Sequence, residues 1–236
     1  VLQNRPKSAS LVAVTSQISL LQPPNGPFVD ESATFLATFF LQWGSGQNLL
    51  EIGAGNGIIS ILIALKQPNL PISAYEIQPE LAEIARKNCT RANVENVEII
   101  AQDIRQPLKK SFDNIISNPP FYPVGKFRPS PIKSLRLAHS EETLSMPELF
   151  EKSASLLSKK GSLFLIYPIF RLSEIYENAS KFSLHLQRLQ FIHFSPGQNA
   201  QKALIQLGNR FAECQILPPL FAQKTNEKLK KEWLND

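Results

Sequence analysis

Four strand-like segments of this chain end in residues able to do chemistry. The first, NLLEIG (48–53), runs into EIGAGNG, which sets Gly53, Gly55 and Gly57 at alternate positions. Such a turn lets backbone approach a ligand closely and admits positive φ. It is not the dinucleotide pattern G-x-G-x-x-G, because the third glycine comes one residue early and Ile58 takes the usual position. No Lys-Ser or Lys-Thr follows to make a nucleotide-phosphate loop. Glu51, at the strand end, disfavours a phosphate and suits a cationic or amino ligand. The second segment, AYEIQ, ends in Glu76, about twenty residues on, as fits a carboxylate gripping two ribose hydroxyls. The third, IIAQDI, carries Asp103 at its tip. The fourth leaves its strand through ISNPPFYPVG (116–125), where a lone Asn118 precedes Pro119, Pro120, Phe121 and Tyr122. Gly and Ser would close a loop at less steric cost, and strand ends are where open α/β sheets bind ligands. Each feature also has a plain structural reading: a tight strand–helix turn, helix-capping or surface acids, and a proline-stiffened turn over buried aromatics.

These tips need strands alternating with helices to hold them side by side. NGIISILIALKQ reads as a helix stopped by Pro68, and QPELAEIARKNCTRAN as one with Pro79 near its start. SMPELFEKSASLLS opens with Ser145 and Glu148 at capping-box spacing. GSLFLIYP is a fifth strand, RLSEIYENASKF a further helix, and HLQRLQFIHF with KALIQLGNR a closing antiparallel pair. DESATFLATFFLQW reads as an entry helix, whereas the preceding QPPNGPF cannot be regular helix. The pattern predicts a mostly parallel sheet covered on both faces, joined by right-handed crossovers. Residues 121–144 show no clear periodicity, and so long a connection in a compact domain is usually functional or disordered.

The 236 residues suit one large α/β domain, and a 43% hydrophobic content can build its core. Cys89 and Cys214 make no disulfide framework and read as reduced thiols. No apolar run is long enough for a membrane span and no secretory leader is visible, so a cytoplasmic location without membrane contact is expected. No metal-ligand grouping stands out. The net charge of +5 permits a polyanionic partner. Lys126, Arg128, Lys133 and Arg136 cluster just after the Pro-Pro motif. A second basic group at Lys224, Lys228, Lys230 and Lys231 reads as a solvated helix face.

In order, the glycine turn, Glu76 and Asp103 resemble the class I S-adenosylmethionine-dependent methyltransferases. The resemblance implies a Rossmann-like α/β fold: a seven-stranded, mostly parallel sheet with helices on both faces and a C-terminal antiparallel hairpin. It implies that Gly53, Gly55 and Gly57 wrap the methionine part of S-adenosyl-L-methionine, with Glu51 close to the methionyl amine. Glu76, beside Ile77, would bind the ribose hydroxyls, and Asp103 with Ile104 the adenine. Asn118-Pro119-Pro120-Phe121 resembles the Asn-Pro-Pro-Tyr/Phe signature of methyltransferases acting on planar amide or aromatic amine nitrogens. On that reading the Asn118 side-chain carbonyl and the Pro119 backbone carbonyl accept the two amine N–H groups, and Asn118 also borders the cofactor. Phe121 offers a stacking face worth about 1–3 kcal/mol, and Tyr122 a second face. Catalysis would be mainly positioning, which fits the absence of an evident Ser–His or Cys–His pair. His185 and His193 fall in the late hairpin and read as structural, and His139 lies nearer the substrate loop.

The motif alone does not choose among adenine, cytosine and guanine nitrogens and a protein glutamine. The chain as a whole is similar to the bacterial family that methylates N6 of an adenine beside the anticodon of a valine tRNA. The stretches that carry this likeness are FVDESATFLATFF with Asp30, SLRLAHSEETLSMPELFEKSASLL, LQFIHFSPGQNAQKALIQLGNR and ILPPLF. The likeness implies tRNA or another structured RNA as partner, with Asp30 and the basic segment facing it. A target base must be turned out of its stack to be reached, and Lys126, Arg128, Lys133 and Arg136 would contact phosphates. The expected organisation is a substrate-facing segment at 1–29, a methyltransferase domain at 30–212 and a tail at 213–236 packed on or flanking it. Three rivals stand beside this reading. One is an N5-glutamine methyltransferase acting on a release factor, disfavoured by the short segment before Glu51. The second is an rRNA guanine N2- or DNA adenine methyltransferase. The third is a non-catalytic RNA-binding module that kept the fold.

Overall fold

The computed structural model describes residues 10–13, 19–23, 31–120 and 144–222. A two-stranded antiparallel hairpin, β1 (Ser10–Ala13) and β2 (Ser19–Gln22), precedes α1 (Glu31–Trp43). Then β3 (Leu49–Ile52), α2 (Ile58–Lys66), β4 (Ile72–Glu76), α3 (Pro79–Arg91), β5 (Val97–Ala101) and β6 (Phe112–Ser117) follow. The chain continues through α4 (Met146–Leu156), β7 (Leu157–Pro168), a 3₁₀ turn (Ile169–Arg171), α5 (Leu172–Lys181), β8 (His185–His193), β9 (Ala200–Gly208) and β10 (Gln215–Phe221).

The main sheet has the order β10-β8-β9-β7-β6-β3-β4-β5. Strands β5, β4, β3, β6 and β7 run parallel, and β9 is antiparallel to both β7 and β8. The expected closing hairpin is therefore β8–β9. The sheet has eight strands, not seven. The extra one, β10, pairs parallel to β8, with a register shift between Leu217 and Leu220 where Pro218 and Pro219 stand. This segment carries two prolines. It is tolerated because it forms an edge and the prolines sit in the bulge.

Alternation along the strands divides the interior into two apolar layers. Leu49, Ile116, Phe164, Ile166 and Leu204 face α1, α2 and α3; Leu50, Ile115, Leu163, Leu165 and Ile205 face α4 and α5. Buried on both faces, these strands read as near-continuous apolar runs. Helix α2 is apolar nearly all round (IISILIALK) because it lies against the sheet and under neighbouring helices. Phe39 and Phe40 of α1 meet Phe164 edge-on, with centroids 6.0 and 5.3 Å away. The α4 capping box forms in both directions: Ser145 accepts from the Glu148 backbone, and Glu148 accepts from the Ser145 N–H at 2.8 Å.

Strand order reverses at β3. The chain runs outward through β4 and β5, then crosses back to place β6 on the other side of β3. A ligand crevice is expected outside the carboxyl ends of β3 and β6 at such a switch point. The glycine turn follows β3 and Asn118 follows β6.

Candidate active site

The glycine turn is built by backbone bonds. Gly53 N–H and Ala54 N–H both donate to the Tyr75 carbonyl, at 2.9 and 3.0 Å, and Gly57 N–H donates to Ala54. All three glycines have positive φ, +80°, +57° and +85°. Their surroundings differ. A Cβ added at Gly53 or Gly55 would meet nothing within 4 Å, whereas one at Gly57 would lie 3.2 Å from the Ala85 Cβ of α3. Gly53 and Gly55 thus border open space above the sheet edge, while Gly57 lets α3 pack against the turn. Gly57→Ala should lower stability by about 1–2 kcal/mol through the left-handed backbone alone, plus the crowding against Ala85. Gly55→Ala should carry the backbone cost and also weaken ligand binding. Urea melts of both variants, with binding titrations alongside, separate the two effects.

Glu76 is buried, and each of its oxygens accepts from backbone: Gly55 N–H at 2.8 Å and Gln78 N–H at 2.9 Å. It therefore couples the β4 tip to the glycine turn. Burial raises its pKa against the pull of these bonds. Ile77 beside it is 37% exposed, an apolar ledge at the edge of the crevice. Asp103 is half-buried, and its carboxylate is held by Arg105 through the backbone N–H, Nε and Nη2 at 2.6–3.0 Å. Those Arg105 hydrogen bonds hold its pKa below the usual carboxylate range. Arg105 also lies 3.5 Å from Glu148 at the start of α4. Ile104 is buried in the layer facing α4 and α5.

Glu51 does not stand open in the crevice. It is 1% exposed on the α2 side of β3, and its Oε2 accepts from both the backbone N–H (3.1 Å) and the hydroxyl of Ser60. Burial pushes its pKa up to about 8 despite the Ser60 hydrogen bonds, with nearby Glu76 adding to the rise. The ordinary value is 4.5, so from about pH 5 to pH 8 the folded protein holds a proton that the unfolded chain has released. Stability should therefore fall with rising pH across that window, with a slope of up to about 1.4 kcal/mol per pH unit. Glu51→Gln should flatten this slope, leaving the part that Glu76 contributes through its own raised pKa. Denaturation midpoints measured across the window test it, and an unchanged slope in the variant would acquit Glu51.

At the β6 tip the Ser117 hydroxyl donates to the Ile52 carbonyl at 2.7 Å. This bond ties the residue before Asn118 to the residue before Gly53, so the two motifs keep a fixed relation. Nothing in the motif pattern singled out Ser117; a hydroxyl directly after Ile115 and Ile116 at the strand end was the available signal. The Asn118 Oδ1 is buried and has no hydrogen-bond partner among the described residues, and Pro119 beside it is buried. A buried unpaired acceptor costs about 1–3 kcal/mol, so it calls for a donor from a ligand. Asp30, Phe121, Tyr122, Lys126, Arg128, Lys133, Arg136 and His139 lie outside the described residues.

The arrangement brings together Gly53, Gly55, Glu76, Ile77, Asp103 and Asn118 at neighbouring carboxyl strand ends. Open space over two glycines, a buried carboxylate beside an apolar ledge and an orphaned amide oxygen fit an adenosine-bearing donor next to an amine acceptor. No group of three His, Cys, Asp or Glu is gathered among the described residues. No described helix is long and apolar enough to cross a membrane.

Comparison with known proteins agrees. The model of the methyltransferase small domain matches residues 27–174. A tRNA1(Val) (adenine(37)-N6)-methyltransferase of Porphyromonas gingivalis is 32% identical over 165 residues, 67% of this chain and 64% of that protein. One of the same name from Aliivibrio salmonicida is 30% identical over 181 residues, covering 76% and 74%. The chain thus spans slightly less than two thirds of the Porphyromonas protein and about three quarters of the Aliivibrio one. Among solved structures, a predicted O-methyltransferase from Agrobacterium tumefaciens superposes with a TM-score of 0.62 at 19% identity, covering 86% of this chain and 97% of that one. At that identity it speaks to the fold alone. With its glycine turn, its acidic strand tips and a family match over most of its length, the chain belongs to the methyltransferase small-domain family, whose methyl donor is S-adenosylmethionine.

Proposed function

We propose that this protein transfers a methyl group to an exocyclic amine of a nucleic-acid base, N6 of an adenine in tRNA. The observation that carries the reading is the buried, unpartnered Asn118 Oδ1 at the β6 tip, fixed beside the glycine turn by Ser117. The names of the relatives supply tRNA and adenine N6. Bound S-adenosylmethionine would supply an electrophilic methyl group on a positive sulfur.

The protein's part is then to hold and orient. Gly53 and Gly55 admit the methionine part, and Glu76 takes the ribose hydroxyls with its remaining lone pairs. Ile77, Asp103 and Ile104 border the adenine. Asn118 Oδ1 and the Pro119 carbonyl accept the two N–H groups of the acceptor, which turns the nitrogen lone pair toward the methyl carbon and favours the charge developing on nitrogen. An aromatic amine needs no prior deprotonation, because its proton leaves after transfer. Phe121 and Tyr122 would stack on the base, and Asp30, Lys126, Arg128, Lys133 and Arg136 would face the RNA.

The test is transfer of labelled methyl from S-adenosylmethionine to bulk tRNA, rRNA and protein, with the product digested to nucleosides or amino acids. N6-methyladenosine from tRNA is the expected product. Label in N5-methylglutamine or N2-methylguanosine would overturn the acceptor, and no label in any pool would overturn the enzymatic reading.

A further inference from the structure

The amino-acid end of the donor needs partners of its own, and Glu51 is buried beneath the turn with its Oε2 held by Ser60. The structure offers another set. Asn88 of α3 is fully buried and makes three hydrogen bonds. Its Oδ1 accepts from the Leu21 N–H at 2.7 Å, and its Nδ2 donates to the Leu21 carbonyl at 3.0 Å and to the Asn56 carbonyl at 2.9 Å. One side-chain amide thus acts as a strand partner for β2 and holds the glycine turn with the same nitrogen. The N-terminal hairpin is thereby seated against the turn between Gly55 and Gly57.

This junction holds two amide side chains with unpaired atoms among the described residues. Gln22, next to Leu21, is 2% exposed, and neither its Oε1 nor its Nε2 has a hydrogen-bond partner among the described residues. Asn56 is 7% exposed, and its Nδ2 has none either. Unpaired buried polar atoms are costly, and three at one junction would be a heavy penalty for structure alone. Together they present one acceptor and two donors. An α-amino acid zwitterion presents the complement: an ammonium that donates and a carboxylate that accepts.

Resting on the methyl-transfer reading above, we infer that Gln22 and Asn56 receive the zwitterionic amino-acid end of the donor, with Asn88 positioning both by locking β2 to the glycine turn. The hairpin is then a wall of the donor site. Gln22 Oε1 takes the ammonium, and Gln22 Nε2 and Asn56 Nδ2 take the carboxylate.

Calorimetry with two nucleosides tests this on the full chain. S-adenosylhomocysteine carries the zwitterion; 5′-methylthioadenosine shares its adenosine and sulfur but lacks the amino-acid end. Gln22→Leu and Asn56→Ala should each weaken S-adenosylhomocysteine about tenfold or more, as for a lost charged hydrogen bond. Both should leave 5′-methylthioadenosine affinity unchanged. The melting midpoint of ligand-free Gln22→Leu should equal or exceed that of the wild type, because an apolar group replaces an unpaired buried amide. Equal loss for both nucleosides, unchanged S-adenosylhomocysteine binding, or a midpoint several degrees lower would overturn the inference. Wild-type protein that bound neither nucleoside would sink the methyl-transfer reading itself, and this inference with it.

Discussion

Asn118→Ala should reduce methyl transfer by about 10²–10³-fold, the scale on which a hydrogen-bonding group aimed at developing charge acts. Donor affinity, read as S-adenosylhomocysteine binding, should change little. The side chain follows β6, whose tip is pinned to β3 by Ser117, so its removal leaves both strand ends in place. Stability should not fall, because the lost Oδ1 is an acceptor without a partner among the described residues. Three readouts therefore separate mechanism from folding: labelled transfer to tRNA, calorimetry and thermal melting. Loss of donor binding in step with turnover would move Asn118 from the acceptor to the scaffold, and unchanged turnover would remove it from the reaction.

Glu76→Gln has the largest expected effect on the donor. The carboxylate accepts from Gly55 N–H and Gln78 N–H with its two oxygens. Glutamine has one acceptor oxygen, so its NH₂ must face one of those backbone donors. The turn loses a hydrogen bond, and the ribose loses a charged acceptor. Each charged hydrogen bond is worth about 1.5–3 kcal/mol, so donor affinity should fall about a hundredfold. Turnover at saturating donor should fall far less than in Asn118→Ala. Binding within a few-fold of wild type would show that the ribose lies elsewhere.

Much of this architecture was legible because its strands are buried on both faces and their ends carry unlike residues. NLLEIG, AYEIQ and FDNIISN read as strands, and Ser145 with Glu148 as a helix start, for reasons that tertiary packing does not override. Spacing could show that Glu51 neighbours the turn, but not which way it points. Alternation along β3 sends it to the α2 side, where Ser60 meets it. The three glycines looked equivalent in sequence, and only the approach of Ala85 separates Gly57 from the others. Asp103 stood out at its strand tip, but spacing did not show that Arg105, two residues on, folds back onto it. Strands β1 and β2 escaped notice because each has four residues, too few for a clear alternation. Gln22 and Asn56 were invisible as a pair because the residue that joins the segments carrying them, Asn88, stands 67 residues from Leu21.

The prolines of β10 bear on what this molecule does in a crowded solution. A sheet's outermost strand ordinarily exposes a ladder of N–H and C=O groups on which another polypeptide can template, the first step toward fibrous deposits. Pro218 and Pro219 remove two donors at the bulge on that margin. An incoming strand would find the ladder interrupted there, so the β10 margin is poorly suited to templated self-association during folding and storage.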